Sequence, residues 1–353
     1  MSLPRQQQPF VAGSVTTGSG TIPRISATLT SRDHWGAFKV RWGIKRMDYR
    51  VDPGLYALGS PDRAASVFVT ANYKLSFDCL RESLHGRSAW ILVLDTKGIN
   101  VWCSAGKGTF GTDELVDRIK SSGLAQVVDH RVLILPQLAG PGVAAHAVKK
   151  LSGFEVVYGP IRATDLPAFL DAGKKATRAM RRGTFTTKER IVLIPVELVS
   201  ALKTAAILAP VLYLLGGLGG PRGFWANASI HGSFAVLCLL SAIVAGCILA
   251  PLLLPWVPGR AFSLKGLILG MITALIVETS RGLDMSHWSG SIESAAWLLL
   301  IPAISAYLAM NFTGASTYTS LSGVKKEMRW ALPLEIAAGV AGLGLWLVSR
   351  FVA

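Results

Sequence analysis

Cysteine is scarce in this chain and badly spaced for cluster chemistry. Its 353 residues contain four, Cys79, Cys103, Cys238 and Cys247. No two form a CxxC pair, which excludes the usual zinc sites and iron–sulfur clusters. Acidic residues are also few: 21 Asp and Glu stand against 36 Lys and Arg, a net charge of +15. Such an excess often serves nucleic acid. Here much of it flanks apolar runs, so it reads as membrane topology and contact with anionic lipid, with no nucleic acid partner. The start, Met1-Ser2-Leu3-Pro4-Arg5-Gln6, lacks the apolar core of a signal peptide. The N-terminal part is therefore expected in the cytoplasm, where thiols stay reduced. A nucleotide loop is missing as well. Gly106-Lys107-Gly108 puts glycine, not Ser or Thr, after its lysine. The GxGxxG match of Gly106 to Gly111 does not directly follow a strand.

What is present is apolar and uneven. Hydrophobic residues make up 51% of the chain, most of them after residue 190. Two parts follow: a mixed domain, then an all-α membrane domain of five helices. Segments near 191–215, 230–254, 264–283, 294–312 and 331–351 are long enough to cross a bilayer, which takes about 20 residues each. Basic residues crowd ahead of the first span, from Lys174 to Arg190, and recur at Arg260 and Lys265 and at Lys325, Lys326 and Arg329. The intervening loops hold little more than Arg222 and Arg281. That alternation predicts a multi-pass protein of the cytoplasmic (inner) membrane, with its N-terminus and first domain facing the cytoplasm. Glu197 and Lys203 read as a snorkelling or paired set near the first span's cytoplasmic half. The roles of Glu278 and Glu335 stay open. Cys238 and Cys247 share one span and read as small packing residues.

Before the membrane domain, residues 1–60 are poorly patterned, and the Gly-, Ser- and Thr-rich stretch Val11 to Thr21 is expected to be mobile. From Val67 the pattern sharpens. Strands are predicted at Val67–Ala71, Ala89–Leu94, Arg131–Pro136 and Phe154–Tyr158. Helices are predicted at Leu75–Leu84, Thr112–Gly123 (capped by Thr112), Gly142–Leu151 and Asp165–Ala176. In the first helix Cys79 falls on the predicted core face with Leu75, Leu80 and Leu84. Alternating strands and helices predict an α/β, Rossmann-like domain, its sheet mainly parallel, over residues 61–176. A basic linker at 177–190 leads to the membrane domain at 191–353.

One segment stands out. Asn100-Val101-Trp102-Cys103-Ser104-Ala105-Gly106-Lys107-Gly108 follows the strand Ala89–Leu94 and the turn Asp95-Thr96-Lys97-Gly98. A short helix there carries a cysteine near its start, at the end of the sheet where open α/β folds hold ligands. The helix N-terminus and Lys107 place positive potential near that sulfur. Taken alone, Cys103 is most often an inert buried thiol, and Trp102 most often packs in a core. His130 and His146 read as capping groups or as residues supporting a site.

Taken together, the residues Thr96 to Thr112 closely resemble the cap-helix segment of the HgcA family, the membrane-anchored corrinoid proteins of microbial mercury methylation. The resemblance continues through Val69–Ser76, His130–Gln137 and Pro141–His146. It covers roughly residue 60 to the C-terminus, including a corrinoid domain followed by five spans. The corrinoid iron–sulfur protein family shares the corrinoid domain but has neither this cysteine nor the spans. One departure is visible: the family's usual residue after the cysteine is Ala, and this chain has Ser104. A hydroxyl there is expected to hydrogen-bond the sulfur and weaken its electron donation.

The resemblance implies a methyltransferase that binds a base-off, cobalamin-type corrinoid. The Cys103 thiolate would be the lower axial ligand of cobalt, and the methyl group would pass from Co(III)–methyl to Hg(II) to give methylmercury. Hg(II) is an electrophile, and a soft, strongly donating ligand trans to the methyl suits that transfer. The cofactor pocket is expected to involve Thr70, Asn72, Asn100, Val101, Trp102, Cys103, Gly106, Lys107, Gln137, Gly142 and His146. Implied partners are a ferredoxin-like protein with two [4Fe–4S] clusters, which would reduce the cobalt, and a methyltetrahydrofolate-linked methyl donor. Two alternatives remain: a membrane-anchored corrinoid methyl carrier of one-carbon metabolism, and a non-enzymatic corrinoid- or metal-binding membrane protein. Asp284 to Gly290 approximates the Asp-x-His-x-x-Gly signature of histidine-ligated corrinoid proteins, but the spacing is one residue too long, and it reads as chance.

Overall fold

The computed structural model describes residues 3–220, 222–282, 287–315 and 321–352. The chain divides into two compact units, Met1–Val40 with Ile44–Gly183, and Arg41–Gly43 with Thr184–Ala353.

The first unit is built on a seven-stranded mixed sheet. Its strands are β1 (Val11–Thr17), β2 (Gly20–Ile25), β3 (Gly54–Leu58), β4 (Val67–Ala71), β5 (Ala89–Leu94), β6 (Val132–Leu135) and β7 (Glu155–Tyr158). Their order across the sheet is β1-β2-β3-β5-β4-β6-β7. The pairs β2–β3, β4–β5, β4–β6 and β6–β7 are parallel, whereas β1–β2 and β3–β5 are antiparallel. Seven helices accompany them: α1 (Ser31–Arg41), α2 (Lys74–Ser83), α3 (Val101–Lys107), α4 (Thr112–Ser121), α5 (Leu124–Val127), α6 (Ala145–Ser152) and α7 (Leu166–Asp171).

β4 and β5 are unbroken apolar runs because both faces of the sheet are covered. On one face Trp90, Leu92 and Leu94 meet Leu115 and Ile119 of α4 and Val148 of α6. On the other, Ile91 and Val93 meet Phe77 and Leu80 of α2 and Phe169 of α7. The connection from β4 to β5 thus runs over one face, and that from β5 to β6 over the other. Since β4 lies between β5 and β6, the winding reverses beside the C-terminal end of β4, the position where doubly wound sheets open a ligand crevice.

Residues 3–60 carry regular structure, including the Gly-, Ser- and Thr-rich stretch Val11 to Thr21. They supply β1, β2, α1 and β3. Gly, Ser and Thr hide the pattern because β1 alternates between half-buried and exposed, with no apolar side chain fully covered. The hairpin is held instead by backbone pairing and by Ser19, whose buried hydroxyl donates to the Gly123 carbonyl at 2.8 Å. The N-terminal strands also add the antiparallel pairs to an otherwise parallel sheet. Cys79 is exposed, contrary to expectation, because α2 turns Phe77, Leu80 and Leu84 to the core. Helix α6 starts at Ala145 rather than at Gly142, and α4 is capped by the Gly111 backbone rather than by the Thr112 side chain.

Among the described residues, the second unit contains five helices long and apolar enough to cross a membrane: α8 (Thr187–Leu215), α9 (Phe224–Leu252), α10 (Phe262–Arg281), α11 (Trp288–Asn311) and α12 (Gly323–Ser349). A capping box opens α8, with Thr186 and Glu189 bonding each other's backbone N–H. The segment read as a basic linker thus ends inside the first helix. Small residues set the packing, as they do where water supplies no drive between helices. A Cβ on Gly266 would stand 2.5 Å from the Ser305 carbonyl oxygen, and one on Gly270 would stand 2.7 Å from Pro302 Cα. Glu293 is buried and bridged by Arg350 at 2.8 Å, Arg281 at 3.2 Å and His231 at 3.3 Å. Glu278 is buried too. Its Oε2 accepts from Ser294 Oγ at 2.7 Å, while Oε1 has no hydrogen-bond partner among the described residues. Both carboxyl oxygens of half-buried Glu335 are likewise unmatched. Asp284 to Ser286 of the near-signature read as chance lie outside the described residues.

Candidate functional site

The site is assembled from the loops that leave β4, β5 and β6. Thr70 is the fourth residue of β4, 3% exposed and paired with Val93 in the sheet. Asn72 follows that strand. Its Oδ1 accepts three hydrogen bonds, from Thr96 N–H at 3.1 Å, Thr96 Oγ1 at 2.9 Å and Gly98 N–H at 2.9 Å. Its Nδ2 donates to Asp95 Oδ1 at 3.1 Å. Asn72 therefore spends its polar atoms on the β5–α3 loop instead of offering them to a ligand. That loop needs special backbone: Lys97 and Gly98 both have positive φ, 58° and 75°. A Cβ on Gly98 would come 2.9 Å from the Met47 carbonyl oxygen.

Asn100 then caps α3. Its side chain accepts from the Cys103 N–H at 2.8 Å, which fixes Cys103 as the third residue of the helix. The Cys103 side chain is half-buried, as are Val101 and Trp102, and Val101 packs on the sheet core. Ser104 is fully buried. Its hydroxyl donates to the Asn100 carbonyl at 2.6 Å and lies 3.1 Å from that of Val101. The hydroxyl proton is thus committed to the helix backbone, not to the sulfur as the sequence suggested. Gly106 and Lys107 are exposed at the end of the helix, which stops at Gly108 in the left-handed region.

Helix α3 packs against β4 and against the short turn Gln137–Ala139 that follows β6. Gln137 Oε1 accepts from Arg181, so this side chain too has an internal partner. Gly142 is required by the protein's own packing. A Cβ there would meet the Phe110 carbonyl oxygen at 2.2 Å and Ala105 Cα at 3.0 Å. Its lack of a side chain lets the β6–α6 loop lie on the end of α3. His146 is exposed on the first turn of α6, with no hydrogen bond or ion pair to the α3 segment among the described residues. His130 acts as a cap: its ring bonds the Ala65 carbonyl at 2.9 Å and accepts from Val132 N–H at 3.2 Å.

Several supporting contacts escaped the sequence reading, which took Thr112 only as a helix cap. Glu114 Oε1 accepts from Asp95 N–H at 2.8 Å and is paired with Arg118. Thr112 Oγ1 accepts from Ala144 N–H at 2.9 Å, and Tyr158 donates to the Val143 carbonyl at 2.6 Å. Burial works against the charge on Asp95, but hydrogen bonds and attraction from Lys97 outweigh it and hold the carboxyl below its usual value.

The donor set limits the chemistry. No group of three or more His, Cys, Asp or Glu side chains able to hold a metal ion exists among the described residues. A lone half-buried thiol cannot hold a bare ion. It can fill one axial position of a metal whose other positions a macrocycle supplies, so the residues fit a corrinoid better than a naked metal.

Residues 44–170 match the family model of the CO dehydrogenase/acetyl-CoA synthase delta subunit. This stretch holds every candidate residue from Thr70 to His146. The chain is 33% identical over 129 residues to the gamma subunit of the acetyl-CoA decarbonylase/synthase complex of Methanopyrus kandleri, covering 36% of this chain and 27% of that one. It is 33% identical over 128 residues to the Methanothermobacter thermautotrophicus subunit of the same description, covering 36% and 28%. With that of Archaeoglobus fulgidus the identity is 30% over 128 residues. The chain spans little more than a quarter of the length of these curated relatives.

Proposed function

We propose that the α/β domain binds a corrinoid and serves methyl transfer, and that the Cys103 thiolate would hold its cobalt. The observation that carries this reading is the placement of Cys103: a half-buried thiol, third in a capped helix, beside the point where the sheet's winding reverses. The similarity to subunits of acetyl-CoA decarbonylase/synthase complexes supports it, and it favours a methyl carrier of one-carbon metabolism that works with protein partners. A bound corrinoid supplies a metal centre that accepts a methyl group and gives it up. The chain's own part is to present the sulfur in one position. Asn100 holds the start of α3, Asn72 holds the loop before it, and Gly142 lets the far end seat closely. The five apolar helices would tether the domain, and the positive-inside pattern would place it in the cytoplasm.

A finer reading takes Hg(II) as the methyl acceptor, with a ferredoxin-like electron donor and a methyltetrahydrofolate-linked methyl source. It rests on the Asn-Val-Trp-Cys segment and on the thiol, because a soft, donating ligand opposite the methyl group suits transfer to an electrophile. One anaerobic experiment tests both readings. Parent and Cys103→Ala proteins are loaded with methylcorrinoid, examined by absorption, and mixed with Hg(II) and the reduced ferredoxin partner. A cobalt–thiolate band in the parent only is expected, and identical spectra would overturn the ligand assignment. Methylmercury from the parent alone supports the Hg(II) acceptor. Corrinoid binding without methylmercury leaves the carrier.

A further inference from the structure

Helix α1 is turned inside out. The residues it buries are Asp33, Gly36 and Val40, at spacings of three and four. Gly36 must be small, because a Cβ there would stand 2.5 Å from the Tyr49 hydroxyl. The aromatic residues Trp35 and Phe38 stand three residues apart on another face, and they are 58% and 47% exposed. Ile44 and Met47 extend the patch at 52% and 59%. A helix that served only its own domain would bury the aromatics and expose the small residues.

Charge surrounds this patch. Arg32, Lys39, Lys45 and Arg46 neighbour these residues along the chain, and Lys39 Nζ sits 6.0 Å above the Trp35 ring. The one acid of α1, Asp33, faces inward, where it pairs with Lys74 at 2.5 Å and Arg81 at 3.0 Å. Trp35 and Phe38 stack with centroids 5.2 Å apart, making a broad flat surface.

We propose that this face of α1, with the first unit's Ile44 to Met47, docks on the anionic surface of a lipid bilayer. Tryptophan and phenylalanine ringed by Lys and Arg is the composition of helices that lie in the headgroup layer. The same chain carries five helices apolar enough to span a membrane, so a bilayer is always within reach. The basic rim matches the negative potential of that bilayer and would repel another basic surface, including a second copy of this chain.

The test uses the full chain in lipid nanodiscs, one set of phosphatidylcholine alone and one containing phosphatidylglycerol. Tryptic cleavage after Lys39, Arg41, Lys45 and Arg46 is timed by mass spectrometry, with cleavage after exposed Lys149 and Lys150 as internal reference. Cleavage at the four sites is expected to be slower in the anionic discs by at least about fivefold, the factor one surface cation is worth at such a bilayer. High salt should shrink the difference. Trp35→Glu combined with Phe38→Glu should abolish it without changing the reference sites, which report that the fold is intact. Equal rates in the two lipids would overturn the proposal. Slowing that tracks protein concentration rather than lipid charge would also overturn it, and would give the face to a second copy.

Discussion

Asn72 Oδ1 accepts two hydrogen bonds from Thr96, at 2.9 Å from its hydroxyl and 3.1 Å from its N–H. A third arrives from Gly98. Truncation in Asn72→Ala leaves buried N–H groups without an acceptor, at a cost of about 3 kcal/mol in stability. A lower unfolding midpoint for the full chain in detergent is expected, together with weaker corrinoid binding in titration. Asn72→Asp keeps the acceptor but sets a carboxylate against Asp95, so it should be destabilised as well. An unchanged midpoint in both variants would mean the loop is held from elsewhere.

Ser104 makes the opposite case. Its hydroxyl bonds the carbonyls of Asn100 and Val101 inside α3. Ser104→Ala removes only the hydroxyl, and the Asn100 carbonyl keeps the Ser104 N–H at 2.9 Å, so the loss should stay near or below about 1 kcal/mol. The cobalt absorption spectrum of the loaded protein should be the same as the parent's. A shifted band would show that the hydroxyl reaches the sulfur after all.

Gly142→Ala tests the seat of α3. The added methyl would lie 2.2 Å from the Phe110 carbonyl oxygen, and backbone gives way less readily than a side chain tip. Overpacking of this kind costs about 1–3 kcal/mol. Corrinoid affinity should fall along with the unfolding midpoint, because the end of α3 has to move. If affinity is retained while stability falls, the position of α3 does not govern binding.

Acid should loosen the first unit through Asp33. Burial raises its carboxyl pKa, but hydrogen bonds from Lys74 and from Thr30 N–H outweigh this and hold it well below the usual carboxylate range. An unfolded carboxyl titrates near 4. The contribution is therefore complete above about pH 4 and is lost as pH falls toward the folded value. Asp33→Asn should lower the neutral-pH midpoint by the equivalent of about 3 kcal/mol, since it leaves buried Lys74 and Arg81 short of a counter-charge. It should also flatten the fall in stability below pH 4, as followed by denaturation at a series of pH values.

The parts of the fold that could be read from sequence were those whose pattern follows from burial. β4 and β5 are continuous apolar runs because helices cover both sheet faces, and each of the five long helices carries an apolar window long enough to span a bilayer. The place of Cys103 on a short helix after a strand and a turn was legible too. The rest was hidden for identifiable reasons. β1 pairs through its backbone and covers no large apolar side chain. Cys79 lies at helical spacing from true core residues but falls at the rim of their face. Asn72, Gln137 and Gly142 were singled out as pocket residues, yet their structural work is internal: two anchor loops and one admits a close backbone approach. A sequence shows that a polar residue or a glycine stands after a strand. Which neighbour uses it depends on register.

The hairpin β1–β2 has a consequence for how this domain can be dissected. β2 occupies one side of β3, and β5 the other. The stretch that matches the family model begins at residue 44, after the hairpin has ended. A fragment cut to that stretch would keep every candidate ligand-binding residue, yet it would leave β3, all five of whose residues are buried, with a bare row of N–H and C=O groups along one side. Such an edge recruits strands from other molecules. The first 25 residues are thus the sheet's own guard against aggregation.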